Sequence, residues 1–124
     1  MRSQGVQPVK SVSAVSPDWL WTWNGLCFGY RQGDSLFTYD GTEVGRFSGN
    51  EVYGVDGRYL GELSGAGAGK RLISNLYKKW NIGTGFEPTF GRAYKRLRDR
   101  TPEPLYTGHE DFPSPESVRT TVFR

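Results

Sequence analysis

The chain has 124 residues, of which 15% are aromatic and seventeen are glycine, and its formal net charge is +3. A chain of this length forms one domain, and no apolar run approaches the roughly 20 residues that a membrane-spanning helix needs. The single cysteine, Cys27, excludes an internal disulfide and a cysteine zinc cluster. The N-terminus has no hydrophobic signal core, so a soluble cytoplasmic protein is the default expectation.

The first residues are polar, and their valines recur at a spacing of three that fits neither a helix nor a strand. We therefore predict a flexible N-terminal arm over residues 1–17 and a single domain over residues 18–124. That domain is predicted to have three parts, which are hairpin repeats at 18–65, a basic helical segment at 66–101 and a C-terminal extension at 102–124.

A sixteen-residue pattern occurs three times between residues 19 and 65. Its copies contain LWTWNG (20–25), LFTYDG (36–41) and VYGVDG (52–57), each followed by two variable residues and then by an apolar residue and a glycine. Self-similarity at a fixed spacing indicates one supersecondary unit copied in tandem. Each Asx-Gly pair predicts a β-hairpin, because a type I′ turn needs positive φ at both central residues. The predicted meander has six strands, at about 19–23, 26–31, 35–39, 42–47, 51–55 and 58–63.

The hairpin register predicts two different faces. With a two-residue Asx-Gly turn, Trp21 faces Phe28 on an aromatic face, whereas Leu20 faces Gly29 on the opposite face. Equivalent pairs recur in the other two copies. We interpret the glycines as a packing device, since a glycine opposite a bulky side chain leaves room for another chain segment.

These residues resemble the four-fold beta flower family, small bacterial domains built from four similar hairpins about a pseudo-fourfold axis. The most similar stretch is EVYGVDGRYLG at 51–61, followed by shorter similarities at 39–41 and 44–45. The sequence departs from the family at 68–79, where the fourth Asx-Gly pair is missing. The resemblance implies a fold and no settled activity, so no catalytic residue is carried over from it.

Two helices are predicted after the repeats. The stretch SGAGAGK at 64–70 lacks the leading glycine and the following Ser or Thr of a phosphate-binding loop, and we interpret it as a linker. Between 70 and 80 the apolar residues fall at i, i+1, i+4, i+5 and i+8, which predicts an amphipathic helix. A shorter helix is predicted from 88 to 100, ended by Thr101-Pro102. The predicted fold class is therefore mainly β with two short α-helices (α+β), with the repeats forming a meander or flower-like pseudo-symmetric sheet.

The C-terminal extension is predicted to complete the sheet. Residues 105–107 (LYT) echo the start of each repeat, and residues 117–123 favour a strand. Three hairpins alone leave two sheet edges unpaired, and such edges invite association with another chain. We expect the C-terminal segments to cover these edges rather than the valine-bearing N-terminal arm, and a homo-oligomer through sheet edges is a further alternative.

Few residues are candidates for catalysis or metal binding. His109 stands beside Glu110 and Asp111, but adjacent residues in a proline-flanked loop point in different directions and no nucleophile is indicated. A surface-loop role is expected for it. One histidine and scattered carboxylates have no metal-ligand spacing, and the Asx residues at 24, 40 and 56 are explained by the turns. We predict no catalytic residue, no metal and no cofactor.

Positive charge is concentrated in one segment. Residues 67–101 carry nine basic and two acidic side chains, whereas 1–66 carry five and seven, and 102–124 carry two and four. Cations interleaved with aromatic residues are typical of a phosphate-contacting surface with stacking groups. Amphipathic helices packed on a sheet also expose their charges, so the pattern has a purely structural explanation as well. The candidate nucleic-acid-binding residues are Lys78, Lys79, Arg92, Lys95, Arg96 and Arg98.

The sequence favours a small non-enzymatic binding or interaction module with an unknown protein or small-molecule partner. The first alternative is a nucleic-acid-associated protein that uses residues 70–100, and the second is an enzyme of unrecognised type. No membrane partner is expected. Salt-dependent retention on DNA would favour the first alternative, and a deep cleft that joins His109 to partner groups would favour the second.

Overall fold

The computed structural model describes residues 17–64 and 70–122. The predicted arm up to residue 16, the turn at Gly65-Ala66 and most of the predicted linker lie outside these residues. Within the described chain the elements are β1 (Asp18–Thr22), β2 (Cys27–Gln32), β3 (Ser35–Thr38), β4 (Glu43–Ser48), β5 (Glu51–Gly54), β6 (Tyr59–Ser64), β7 (Arg71–Asn75), a 3-10 turn (Leu76–Lys78), β8 (His109–Asp111) and α1 (Pro115–Val122).

The strands form one sheet in chain order, and the sheet closes on itself as a seven-strand barrel. Strands β1 to β6 are three successive antiparallel hairpins, as predicted. Strand β7 then pairs antiparallel with β6 and parallel with β1, where Trp21 faces Arg71 and Thr22 faces Leu72. Strand β8 pairs antiparallel with β7 over Ile73 to Asn75. It lies on the same side of β7 as β1, which pairs with the preceding residues Arg71 and Leu72. The two strands predicted to be open edges, β1 and β6, are therefore both paired to β7.

The three hairpins end in the same kind of turn, which differs from the predicted one. In the first hairpin the N–H of Gly25 donates to the carbonyl of Thr22 at 2.9 Å, and Gly25 has φ +96°. The equivalent glycines, Gly41 and Gly57, have φ +91° and +87°. The predicted positions of the hairpins are confirmed. The Asx residue, however, is the third residue of a four-residue turn, and the glycine that follows leads into a bulge rather than occupying a two-residue type I′ turn.

This bulge changes which side chains point into the barrel. Leu20 faces Gly29 as predicted, but Trp21 faces Cys27 instead of Phe28. The other two hairpins shift at the same place. Because an extra residue on one strand interrupts the alternation of side chains, Phe28 joins Leu20 in the core and leaves the predicted aromatic face.

The core fills the barrel and is closed at one end by the C-terminal segment. The buried core consists of Leu20, Phe28, Leu36, Val44, Phe47, Val52, Leu72, Phe112 and Val118. The ring of Phe112 packs edge-on against Phe28, with centroids 5.2 Å apart. Val118 brings α1 onto the same cluster, and Arg119 of α1 pairs with Asp40 in a hairpin turn at 3.0 Å. Helix α1 therefore lies at the end of the barrel where the three hairpin turns lie, which we call the turn end.

Neither predicted helix is present, so the predicted fold class is wrong. Residues 71–75 form β7, and residues 79–108 have no regular helix or strand apart from isolated bridges at Ile82 and Phe90. The only α-helix of the described chain, at 115–122, occupies a stretch predicted to be a strand. The apolar spacing of 70–80 was misleading because β7 is buried on both faces: Arg71, Leu72, Ile73 and Ser74 are buried in succession, and such a strand lacks the alternation that distinguishes it from a helix.

Residues 82–103 run around the outside of the turn end, and we call this segment the collar. It passes the hairpin turns in reverse order, from the third to the first, with backbone N···O distances of 2.6 to 3.2 Å. The donors and their acceptors are Gly83 to Gly57, Phe86 to Val55, Gly91 to Gly41, Tyr94 to Tyr39, Arg100 to Gly25 and Glu103 to Trp23. At each turn the two donors are three residues apart and the two acceptors are two apart. The collar therefore makes the same pair of contacts at each turn, although it reaches successive turns every eight or nine residues and the turns recur every sixteen.

The collar also covers aromatic side chains on the outer face of the barrel. The indole N–H of Trp21 donates to the carbonyl of Arg98 at 3.0 Å, and the hydroxyl of Tyr30 donates to the carbonyl of Arg92 at 2.6 Å. An irregular segment needs such partners, because it has no ladder of its own to satisfy its backbone. Large aromatic groups with a polar atom are suited to this task. No helix in the part of the chain that the structure describes is long and apolar enough to cross a membrane.

Candidate functional site

The six basic residues that the sequence singled out fall into two groups. Lys78 and Lys79 follow β7 and precede the collar, whereas Arg92, Lys95, Arg96 and Arg98 lie on the collar where it crosses the second and first hairpins. All of them except Lys78 are exposed.

Lys78 has a structural role. Its ammonium group contacts Glu51 at 2.8 Å and Glu62 at 2.9 Å. Tyr53 and Tyr59 donate hydrogen bonds to the same two carboxylates, each at 2.8 Å. The hydrogen bonds to Glu51 and Glu62 raise the pKa of Lys78 above its usual range. Because two carboxylates already neutralise this ammonium group, Lys78 is not available to a phosphate.

Lys79 pairs with Glu110 on the surface, where both side chains are about half exposed. Its neighbours Tyr77 and Trp80 are 81% and 87% exposed. The structural explanation of the basic segment required these rings to face the core of the sheet. That explanation is therefore wrong for Tyr77 and Trp80.

The collar carries a concentrated run of positive charge at residues 92–100, which we call the basic strip. Its charged residues are the cations Arg92, Lys95, Arg96, Arg98 and Arg100 and the carboxylate Asp99. Five cations against one carboxylate leave a net charge of +4, and all six side chains are exposed. Asp99 pairs with Arg96 at 2.8 Å and also accepts the N–H of Cys27 at 3.0 Å.

The backbone of the basic strip is fixed to the barrel along its length. The carbonyls of Arg92 and Arg98 accept the bonds from Tyr30 and Trp21 described above. The N–H of Arg100 donates to the first hairpin turn at 2.7 Å. The guanidinium of Arg100 also lies over the ring of Trp21, 3.6 Å from its centroid. The cations are therefore displayed from an ordered backbone, which lowers the conformational entropy that this segment would lose on binding a ligand.

A buried carboxylate anchors the collar beside the basic strip. Glu43 is 0% exposed, and its Oε2 accepts a hydrogen bond from Arg46 at 2.9 Å. Burial by itself raises the pKa of Glu43, but the hydrogen bonds from Arg46, Ser35 and Thr89 outweigh burial and hold the pKa below its usual range. Sequence reasoning missed this residue. The available signal was that the equivalent positions in the other copies hold the uncharged residues Cys27 and Tyr59.

The structure does not assemble an acid–base site around His109. Its Nδ1 lies 3.2 Å from the carbonyl of Thr107, and its ring packs edge-on against Tyr106 with centroids 5.5 Å apart. The neighbouring Asp111 accepts the N–H of Asn24 at 3.1 Å. Within residues 17–64 and 70–122, no three His, Cys, Asp or Glu side chains are grouped so that they could hold a metal ion.

The chain matches no family model, no curated protein and no solved structure. A closed barrel of successive hairpins is compatible with a flower-like repeat fold, but it does not establish membership of that family.

Proposed function

We propose that this protein is a non-enzymatic binding module that takes nucleic acid on the basic strip of its collar. The observation that carries the proposal is the run of five exposed cations, opposed by one carboxylate, on a backbone that hydrogen bonds fix to the barrel. Lys and Arg contacts to phosphates supply the sequence-independent part of nucleic-acid affinity. A backbone held in one position can present them in succession along a strand of phosphates.

Exposed aromatic rings favour a chain of nucleotides over an isolated phosphate. Phe90 is 67% exposed and lies two residues before Arg92, at the start of the basic strip. Tyr77 and Trp80 are exposed just before the collar begins. Bases stack on such rings, and stacking beside a cationic path is how sequence-tolerant binding of single strands is achieved.

A protein partner is the second candidate, and the turn that follows β7 favours it. Tyr77, Trp80 and Ile82 are all exposed there, while the nearby lysines are neutralised by carboxylates. Trp and Tyr are enriched among the residues that dominate protein interfaces. Replacing Trp80 with alanine separates the two candidates. A loss of nucleic-acid affinity assigns the ring to the nucleic acid, and an unchanged affinity leaves it as a candidate contact for a protein.

At the level of the fold, we propose that the barrel has the four petals of a beta flower, with β7 and β8 as the fourth. Leu72 in β7 and Phe112 after β8 join the core beside Leu20 and Phe28 of the first hairpin. The two strands pair antiparallel, as those of the other hairpins do. The collar then occupies the position of the missing Asx-Gly turn, as a long insertion between the two strands of the petal.

The salt dependence of binding to short DNA and RNA tests the proposed function. The logarithm of affinity should fall with the logarithm of salt concentration, with a slope of about −0.9 per phosphate neutralised on duplex DNA and about −0.7 on single strands. The triple variant Lys95→Gln, Arg96→Gln, Arg98→Gln should flatten this slope with little change in Tm, because exposed charges contribute little to stability.

Lys70→Gln is a matched control, because Lys70 is about half exposed and pairs with Asp18, and neither residue belongs to the collar. This variant should keep the parent slope. The absence of binding to both DNA and RNA at physiological salt would refute the proposal. An unchanged slope in the triple variant would refute the assignment to the basic strip.

A further inference from the structure

The three hairpin turns are equivalent where they face the collar but not where they face the C-terminal segment. That segment contacts the first turn through Asp111, which accepts the N–H of Asn24, and the second through Arg119, which pairs with Asp40. Among the described residues no such polar contact joins it to Asp56 of the third turn. A cleft of about 530 Å³ lies there, between the third turn and helix α1.

The cleft has an apolar floor and a charged rim. The floor is formed by Val44, Val55, Leu60 and Val118. Val44 and Val118 belong to the barrel core, so the floor is continuous with it. The rim carries Asp56, Arg58 and Thr121. A volume of this size and a position at the mouth of a barrel are both common for small-molecule sites.

Differences between the second and third copies of the repeat account for the cleft. In the second copy Thr38 donates to Asp40, and Tyr39 donates to Glu116 of helix α1 at 3.0 Å. The third copy has Gly54 and Val55 at these two positions, so both contacts are absent and the space is open. A Cβ atom built on Gly54 would meet only ordinary contacts, the nearest at 3.5 Å from Asp56.

The third copy also adds charge at the rim. Arg58 stands where the first two copies have Leu26 and Thr42. It pairs with Asp56 at 3.4 Å, yet the two side chains remain 79% and 66% exposed. A pair this exposed is weakly held, because water screens both charges. Each charge can therefore exchange its partner for one supplied by a ligand.

We propose that this cleft binds a small zwitterion with an apolar side chain, a hydrophobic amino acid or a short peptide of such residues. The carboxylate of the ligand pairs with Arg58, whose planar guanidinium suits a carboxylate. Its ammonium group pairs with Asp56, as the guanidinium of Arg119 pairs with Asp40 in the second turn. Its side chain packs on the valine and leucine floor.

The chemistry of the rim is the reason for choosing a zwitterion. A ligand with only an anionic head would pair with Arg58 and leave Asp56 beside a like charge. A ligand with only a cationic head would do the reverse. A bare hydrocarbon would displace water from both charges and offer neither of them a partner. A zwitterion matches both members of the exposed pair.

The probe is the dipeptide leucyl-leucine, titrated into the isotope-labelled full chain and followed by amide NMR. We expect saturable shifts at residues 54–58 and 118–121, with a dissociation constant on the order of 1 mM or tighter. The N-acetylated and C-amidated forms of the dipeptide should each bind severalfold more weakly. Absence of saturable shifts at these residues would overturn the proposal.

Gly54→Thr is the decisive variant, since it restores the residue of the first two copies and places a side chain in the cleft beside Asp56 and Leu60. We expect it to weaken dipeptide binding at least tenfold while Tm does not fall. Arg58→Gln should bind the dipeptide and its C-amide equally, which a merely structural role of Arg58 would not produce. Asp34→Asn, in an exposed turn at the other end of the barrel, is the control and should bind like the parent.

Equal dipeptide affinity in Gly54→Thr and the parent would refute the location of the site. A preference for the free carboxylate that survives in Arg58→Gln would refute the role of Arg58. Nucleic-acid binding by the collar is measured separately, and neither variant should change it.

Discussion

Thr89 donates its backbone N–H and its hydroxyl to the same carboxylate oxygen of Glu43, each at 2.9 Å. Glu43 is buried, so its removal leaves both donors and the Arg46 guanidinium without their acceptor. We expect Glu43→Ala to lower the free energy of unfolding by about 3 kcal/mol, the low end for breaking a buried ion pair, because Arg46 is half exposed. Urea denaturation at pH 7 measures this change, with the exposed Asp34→Ala as control. A loss below about 1 kcal/mol would contradict the anchoring role.

Glu43 also makes stability depend on pH. Its pKa in the folded protein is lowered, because the hydrogen bonds from Arg46, Ser35 and Thr89 outweigh the effect of burial. A carboxyl group with a lowered folded pKa stabilises the fold above its unfolded pKa of roughly 4.3. That contribution is lost as pH falls through the folded pKa. We expect the free energy of unfolding to fall between about pH 5 and pH 3, and to fall less steeply in Glu43→Gln. Equal slopes in the two proteins would contradict this assignment.

Gly41 should be far less replaceable than Gly33, although both have positive φ. A Cβ atom on Gly41 would lie 2.5 Å from the carbonyl oxygen of Gly91 in the collar, whereas on Gly33 it would meet nothing within 4 Å. We expect Gly33→Ala to cost about 1 kcal/mol through backbone strain alone, and Gly41→Ala to cost more because the collar must move. Thermal unfolding of the two variants measures the loss of stability in each. Equal losses of stability would show that the collar does not lie close enough to Gly41 to exclude a Cβ atom.

Substitutions of Lys78 and Lys95 should have opposite effects, one on stability alone and the other on nucleic-acid binding alone. Removing the Lys78 ammonium leaves Glu51 and Glu62 without their shared cation. We expect Lys78→Gln to lower the free energy of unfolding by about 1–2 kcal/mol and to leave the salt slope of nucleic-acid binding unchanged. Lys95→Gln should reduce that slope and leave stability unchanged, since the residue is exposed. The reverse result would exchange the roles that we assign to the two lysines.

Phe112 should matter more to stability than any other residue of the C-terminal segment. It is 2% exposed, packs on Phe28, and would collide with a Cβ atom on Gly61 at 2.5 Å. We expect Phe112→Ala to cost about 3–5 kcal/mol in the free energy of unfolding. Val118→Ala, in the same core, should cost less because it removes fewer buried atoms. A smaller loss for Phe112→Ala than for Val118→Ala in urea denaturation would contradict the packing described.

The sequence was sufficient for the hairpins because their signal is local. The Asx-Gly pairs and the glycine opposite Leu20 are read within a few residues, and the structure confirms both. The error in the predicted turn type also has a local cause, because a bulge of one residue moves Phe28 from one face of the sheet to the other. No pattern in the six strands distinguishes the two turns, since Asx-Gly suits both.

The barrel closure and the collar could not be predicted because their partners are distant in the chain. Strand β7 is defined by pairing with β1, and the bond from Trp21 to Arg98 spans 77 residues. Five of the six candidate basic residues are exposed. Lys78 is the exception because it pairs with Glu51 and Glu62 of another hairpin, which composition along the segment cannot reveal.

The collar implies an order of events in folding. Its acceptors are carbonyls of three turns, so none of its bonds can form before the hairpin concerned exists. The hairpins precede the collar in the chain and consist of local contacts, which form quickly. The collar both leaves from β7 and returns to it through β8. Pairing of three residues of β8 with β7 therefore holds both ends of the collar at the same strand. Loss of that short pairing would weaken the contacts of the collar with all three hairpin turns together.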